Sequence, residues 1–181
     1  MGVTLRQAVL ADVDAIAALH VAVWRATYRD LAPAAAIEAL DIPLRRARWA
    51  ETLGAPKPDQ LALVAECDGK LAGFGLAGPP GDASFDGRGE IKFLYVAEAF
   101  QRRGIGRHLI AEMARHLAER GYSGIGLSVV IGNIAAIAFY EGLGGWSIGT
   151  FTDPGPLWRS ANFIYAWDNV PALIARASDA P

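Results

Sequence analysis

The stretch "FLYVAEAFQRRGIGRHLIAEM", Phe93 to Met113, joins an apolar strand to an amphipathic helix through two arginines and two glycines. Gly104-Ile105-Gly106 leaves the backbone nearly bare where the helical period begins. The first amides of a helix have no partner within it, and together with the positive end of the helix dipole they form an anion site. Arg102, Arg103 and Arg107 add positive charge at the same end, so phosphate is the natural guest. Ile105, Leu109, Met113 and Leu117 recur every fourth residue, and Ile110 and Ala114 widen that stripe toward a sheet.

Glycine-rich turns are common, and the surroundings must choose among their uses. A dinucleotide fingerprint needs a third glycine where Leu109 stands, and a mononucleotide loop needs Gly-Lys-Ser/Thr; neither is present. Taken alone, the segment also fits a helix entered by a tight turn with two solvated arginines.

The chain around it bounds the answer. Its 181 residues suit one domain, long enough to bury roughly 70% of the unfolded surface. An apolar fraction of 52%, a charged fraction of 20% and a net charge of −2 exclude wholesale disorder and give no global field to gather nucleic acid or anionic lipid. The single cysteine, Cys67, makes no internal disulfide and is expected to point inward from a strand. No apolar run approaches the ~20 residues of a membrane span, and the N-terminus lacks a basic patch followed by an apolar core. A cytoplasmic protein without a membrane partner is the expectation.

Elsewhere the segments alternate in type. Residues 3–8 read as a strand, and Asp12 as the N-cap of a helix that ends before Pro33. Pro43 divides "AAAIEALDIPLRRARWAETL" into two short helices. Asp68-Gly69 marks a hairpin between two apolar strands, and residues 78–89 form a long, mobile loop. After the strand "EIKFLYV" and a helix from Gly104 to Arg120, closed by Gly121, come a strand "GIGLSVV", a helix from Asn133 to Glu141, a strand near "WSIGTF", a turn at "DPGP" and a strand "NFIYAWD". Residues 1–170 form the single domain, and 171–181 a small polar tail expected to fray.

Gln101-Arg102-Arg103-Gly104-Ile105-Gly106 resembles the Gln/Arg-x-x-Gly-x-Gly/Ala signature of the GNAT superfamily of acyl-CoA-dependent N-acyltransferases. "NIAAIAFYEGLGG", from Asn133, is similar to its Asn-x-x-Ala-x-x-Phe-Tyr-x-x-x-Gly segment, and "HVAVWRATYRDLAP", from His20, to its acceptor-side helix and loop. The resemblance covers nearly the whole chain. It implies an α/β (α+β) fold, with a mixed, mostly antiparallel sheet of about seven strands, a splay between strands 4 and 5 and about four flanking helices.

The resemblance further implies acetyl-CoA as co-substrate, without a metal. Its pantetheine would lie along Leu94, Tyr95 and Val96, with the Leu94 amide stabilising the oxyanion. Its pyrophosphate would rest on the loop from Gln101 through Arg102, Arg103, Gly104, Ile105 and Gly106 to Arg107. Asn133 and Ala136 would touch the cofactor, and Tyr140 would both contact it and serve as the acid for the thiolate. Plainer roles stand beside these: an N-cap for Asn133, and for Tyr140 a half-buried ring with its hydroxyl on a backbone carbonyl.

Glu90 is the candidate general base. A period of two places it on the face of Lys92, Leu94 and Val96 unless a bulge alters that register, and pairing with Arg88 or Lys92 is its plainer role. His20, Trp24 and Tyr28 form one helical stripe; Trp24 and Tyr28 are expected to line the acceptor pocket, and His20 to be structural. No metal spacing and no Ser/His/Asp motif appears, so an amine attacking directly in a ternary complex is favoured over an acyl-enzyme. The acceptor is expected to be a small-molecule or peptide amine. A protein N-terminus or lysine, and a non-catalytic acyl-CoA-binding module, stay open. Dimers are common in such folds, although nothing in the sequence itself points to one.

Overall fold

A computed structural model describes residues 2–179. Seven strands form one sheet: β1 (Val3–Gln7), β2 (Leu61–Cys67), β3 (Lys70–Gly78), β4 (Gly89–Val96), β5 (Ile125–Val130), β6 (Trp146–Asp153) and β7 (Ser160–Trp167), in the order β1-β2-β3-β4-β5-β7-β6. Every pairing is antiparallel except the parallel pair of β4 with β5. Six α-helices accompany the sheet, against the four implied: α1 (Val13–Tyr28), α2 (Ala34–Ala39), α3 (Ile42–Gly54), α4 (Ile105–Glu119), α5 (Ile134–Gly142) and α6 (Val170–Ser178). None is long and apolar enough to cross a membrane.

Two apolar layers hold the sheet. The stripe of α4, with Ile105, Leu109, Ile110, Met113, Ala114 and Leu117 all buried, packs on one face. Ile16 of α1 and Trp49 of α3 close the other face over Val64, Phe74 and Leu76. Gly75 lets α4 come close, since a Cβ there would sit 2.8 Å from the Met113 sulfur. The expected hairpin is present: Cys67 pairs with Lys70, and Asp68 and Gly69 at φ 51° and 74° make the left-handed turn between them. Cys67 is buried as expected. Gly121, at φ 88°, ends α4, and the Tyr122 amide reaches back to the Leu117 carbonyl.

Four expectations need correction. The chain breaks between α2 and α3 at Leu40-Asp41, where the Asp41 side chain accepts from the Leu44 amide; Pro43 lies in the first turn of α3, where its missing N–H costs nothing. Residues 171–178 are helix rather than frayed tail. Asn169 caps α6, Pro171 sits in its first turn, and Val170, Leu173 and Ala177 bury one stripe in the same core as α4. The loop between β3 and β4 is anchored by Phe85, which is buried and occupies the space above Gly126 where a Cβ would meet its ring at 2.7 Å.

Asp12 makes no side-chain cap to α1. Its Oδ2 accepts from the Val9 amide at 2.8 Å, and both its oxygens accept from Arg6 at 2.8 Å, tying β1 to the start of α1. The Arg6 guanidinium holds the Asp12 carboxyl below its ordinary value. A carboxyl depressed on folding stabilises above its unfolded pKa near 3.9 and loses that contribution as pH falls through the folded value. Asp12→Asn is therefore expected to lower stability by ~1 kcal/mol at pH 7. In urea melts at falling pH, the difference between variant and wild type should close below about pH 4; a gap independent of pH would contradict the charge argument.

Candidate active site

The sheet opens where the sequence motif begins. β4 and β5 pair only at Gly89–Ile125 and Glu90–Gly126, while β5 continues along β7 through Val130 and β4 along β3 through Val96. From Ile91 onward, the β5-facing edge of β4 has no strand partner, which is the splay the sequence implied. Backbone groups along such an edge need another partner.

At the end of β4, the chain turns through Arg102 and Gly104, both left-handed with φ of 61° and 79°, into α4. The first backbone bond of that helix runs from the His108 amide to the Gly104 carbonyl, so the amides of Ile105, Gly106 and Arg107 precede the ladder and face outward from its N-terminus. A Cβ on Gly106 would lie 3.4 Å from the Phe139 ring and 3.8 Å from Val96, placing this turn against both α5 and the end of β4. Gln101 donates from Nε2 to the Val96 carbonyl at 3.2 Å, bracing the loop.

The arginines divide their roles. Arg102 and Arg103 are exposed, with Arg103 stacked 5.4 Å over Phe100. Arg107 donates to the Arg176 carbonyl at 2.9 Å, so its side chain fastens α4 to the end of α6 and its amide is what it leaves at the helix N-terminus.

Across the splay stands α5. Asn133 caps it, accepting from the Ala136 amide at 3.3 Å, and also interacts with the Tyr28 hydroxyl. Tyr140 is buried among Phe139, Tyr165 and Trp167, with ring centroids 5.5, 6.3 and 6.1 Å away. Its hydroxyl makes no hydrogen bond among the described residues, so the backbone-carbonyl role is not found. Burial pushes its pKa well above the usual tyrosine value.

The register of β4 corrects one further expectation. Phe93 pairs with Leu76 and Ile91 with Ala77, leaving Lys92 as an extra residue in the strand. Ile91, Leu94 and Val96 therefore share the α4 side, while Lys92, Phe93 and Tyr95 face the other way. Glu90 is not on the face of Leu94. Its Oε2 accepts from Lys92 Nζ at 2.6 Å and from the Gly81 amide at 2.7 Å.

On the face opposite α4 lies a cavity of about 160 Å³. Trp24, Tyr28 and Trp158 close one side as three mutually packed rings, with centroids 5.0 to 6.4 Å apart. Trp24 and Tyr28 line this cavity, and the Tyr95 side chain lines it too. Burial raises the Tyr28 and Tyr95 hydroxyls above the ordinary value. His20 is fully buried and pushed down to about 3, by burial first and then by Arg45.

Several lining residues escaped the sequence reading. Arg45 occurs in a helix with no motif, on the same stripe as Trp49, and that i, i+4 spacing was its only signal. Asp153, Trp158 and Asn162 flank what read as a turn, and their approach to α1 follows from the strand order alone.

The sheet is thus parted beside a glycine-entered helix, with a partly open polar-aromatic cavity on the far face. Residues 23–144 match the model of the Acetyltransferase (GNAT) family. An uncharacterised N-acetyltransferase of Bacillus subtilis strain 168, YuaI, is 31% identical over 140 residues, 77% of this chain and 78% of that protein. Among solved structures, the PaiA N-acetyltransferase of Thermoplasma acidophilum in complex with coenzyme A superposes with a TM-score of 0.70 at 20% identity, over 92% of this chain and 98% of that one. A putative acetyltransferase of Salmonella typhimurium, YncA, with acetyl-CoA bound, gives 0.66 at 22% identity, over 92% and 94%. The chain belongs to the GNAT acetyltransferase family and is an acyl-CoA-dependent acetyltransferase.

Proposed function

We propose that the protein transfers an acetyl group from acetyl-CoA to a primary amine of a small molecule or peptide, by direct attack in a ternary complex. The observation that carries this reading is the unpaired β5-facing edge of β4, lying between the α4 N-terminus and the aromatic cavity. The amides from Arg102 to Arg107 hold the pyrophosphate, and pantetheine takes the place of a strand partner along Leu94, Tyr95 and Val96. The Leu94 amide polarises the thioester carbonyl; one preorganised donor of this kind is worth ~3 kcal/mol of barrier.

The amine reaches the carbonyl from the cavity and loses a proton on attack. Glu90 receives it through water at Oε1, the oxygen that takes part in no hydrogen bond among the described residues, while Lys92 and Gly81 fix Oε2. Collapse of the tetrahedral intermediate breaks the carbon–sulfur bond, and Tyr140 supports the departing thiolate. A concave, partly open cavity favours a small or peptide amine over the flat surface of a folded protein.

Calorimetry with coenzyme A, followed by an amine panel scored for free thiol and N-acetyl product, tests the reading. Micromolar binding and amine-dependent thiol release are expected. Absence of coenzyme A binding, or binding without thiol release across the panel, would remove it.

A further inference from the structure

Among the described residues, two buried side-chain nitrogen atoms have no hydrogen-bond partner, His20 Nε2 and Arg45 Nε, and both residues line the same cavity. Buried polar groups without partners are rare enough that two in one cavity require a reason. The chemistry of each atom is fixed. The Trp49 indole N–H only donates, and it donates to His20 Nδ1 at 3.1 Å, so Nδ1 is the acceptor and the neutral ring carries its hydrogen on Nε2. Arg45 Nε–H is also a donor. The orphans are thus two donors, one of them on a cation.

The charge balance points the same way. Three charged residues line the cavity: Arg45, Lys92 and Asp153. Lys92 is neutralised by Glu90 at 2.6 Å. Arg45 enters no ion pair among the described residues although only 8% of it is exposed, and burial lowers its pKa as it does for any unmatched cation. A buried cation without a counter-charge is costly, and a planar oxyanion accepting from guanidinium and imidazole together satisfies both orphans. Asp153 is the cavity's one carboxylate and supplies a counter-charge for an ammonium.

We propose that the acceptor is an amine carrying a carboxylate, an amino-acid-like zwitterion whose carboxylate is bound by Arg45 and His20. This rests on the acetyl-transfer reading and narrows its substrate class. The cavity's volume of about 160 Å³ is far more than one water needs and suits a small organic molecule.

The test uses α- and ω-amino acids, each paired with its primary amide and its decarboxylated amine. For wild-type protein, kcat/KM for the best carboxylate is expected to exceed that of its amide and of its decarboxylated amine at least tenfold. Arg45→Met should erase that ratio. Because an unpaired buried cation is removed, the variant should melt no lower than wild type. Equal or better use of the amides, or acetylation of none of the carboxylates by protein that binds coenzyme A, overturns the proposal but leaves donor binding standing. Thermal shift of wild-type protein with the same pairs needs no donor: selective stabilisation by the carboxylates supports the anion site even if coenzyme A fails to bind, and identical shifts reject it.

Discussion

Replacing Tyr140 by phenylalanine is expected to lower kcat by roughly 10²- to 10³-fold, with the affinity for coenzyme A changed by less than about twofold. The ring contacts with Phe139, Tyr165 and Trp167 survive this change, and the hydroxyl has no structural partner among the described residues to lose. On the proposed mechanism, what disappears is the hydrogen-bond donor to the departing thiolate. Burial keeps this hydroxyl protonated well past its ordinary titration range. A group so weakly acidic is expected to stabilise a thiolate of ordinary basicity near 8.5 by donating a hydrogen bond without giving up its proton. Loss of activity through ionisation of Tyr140 should then appear only above pH 10. An unchanged kcat in the Phe variant would exclude Tyr140 from the reaction.

Gly104→Val attacks the donor half. Gly104 sits at φ 79°, where a β-branched residue costs about 1–2 kcal/mol, and its side chain would stand beside the outward amides of Ile105 and Gly106. A loss of at least 10²-fold in coenzyme A affinity is expected, equivalent to ~2.7 kcal/mol. Far-ultraviolet circular dichroism should stay close to wild type, because the stripe of α4 is untouched. Calorimetry that finds the dissociation constant within about threefold would mean the pyrophosphate rests elsewhere.

The proposed donor side is legible in the chain because its residues are contiguous. Gln101 to Arg107 is one contiguous run whose glycines and helix start carry the meaning, and the fragment from Asn133 to Tyr140 lies within two turns of one helix. The acceptor half resisted for the opposite reason. Its wall draws on α1, α3, β4, β5, β6 and β7 and the segment leading into β7, so Arg45 and Asp153 meet only through tertiary folding. The extra residue at Lys92 was equally hidden, since a bulge leaves no mark on apolar alternation and reassigns Glu90 to another face. Pro171 misled because proline marks helix starts as readily as chain ends.

The slip in alternation at Lys92 falls two residues beyond Glu90, the last point at which β4 and β5 remain zipped. Both irregularities therefore fall at one spot, dividing the strand into a paired start and a free-edged end. On the proposed reading, exchanges at Lys92 and Phe93, which line the cavity, are expected to change which amine is used, while the main chain assigned to the carrier contributes no side chain to be altered.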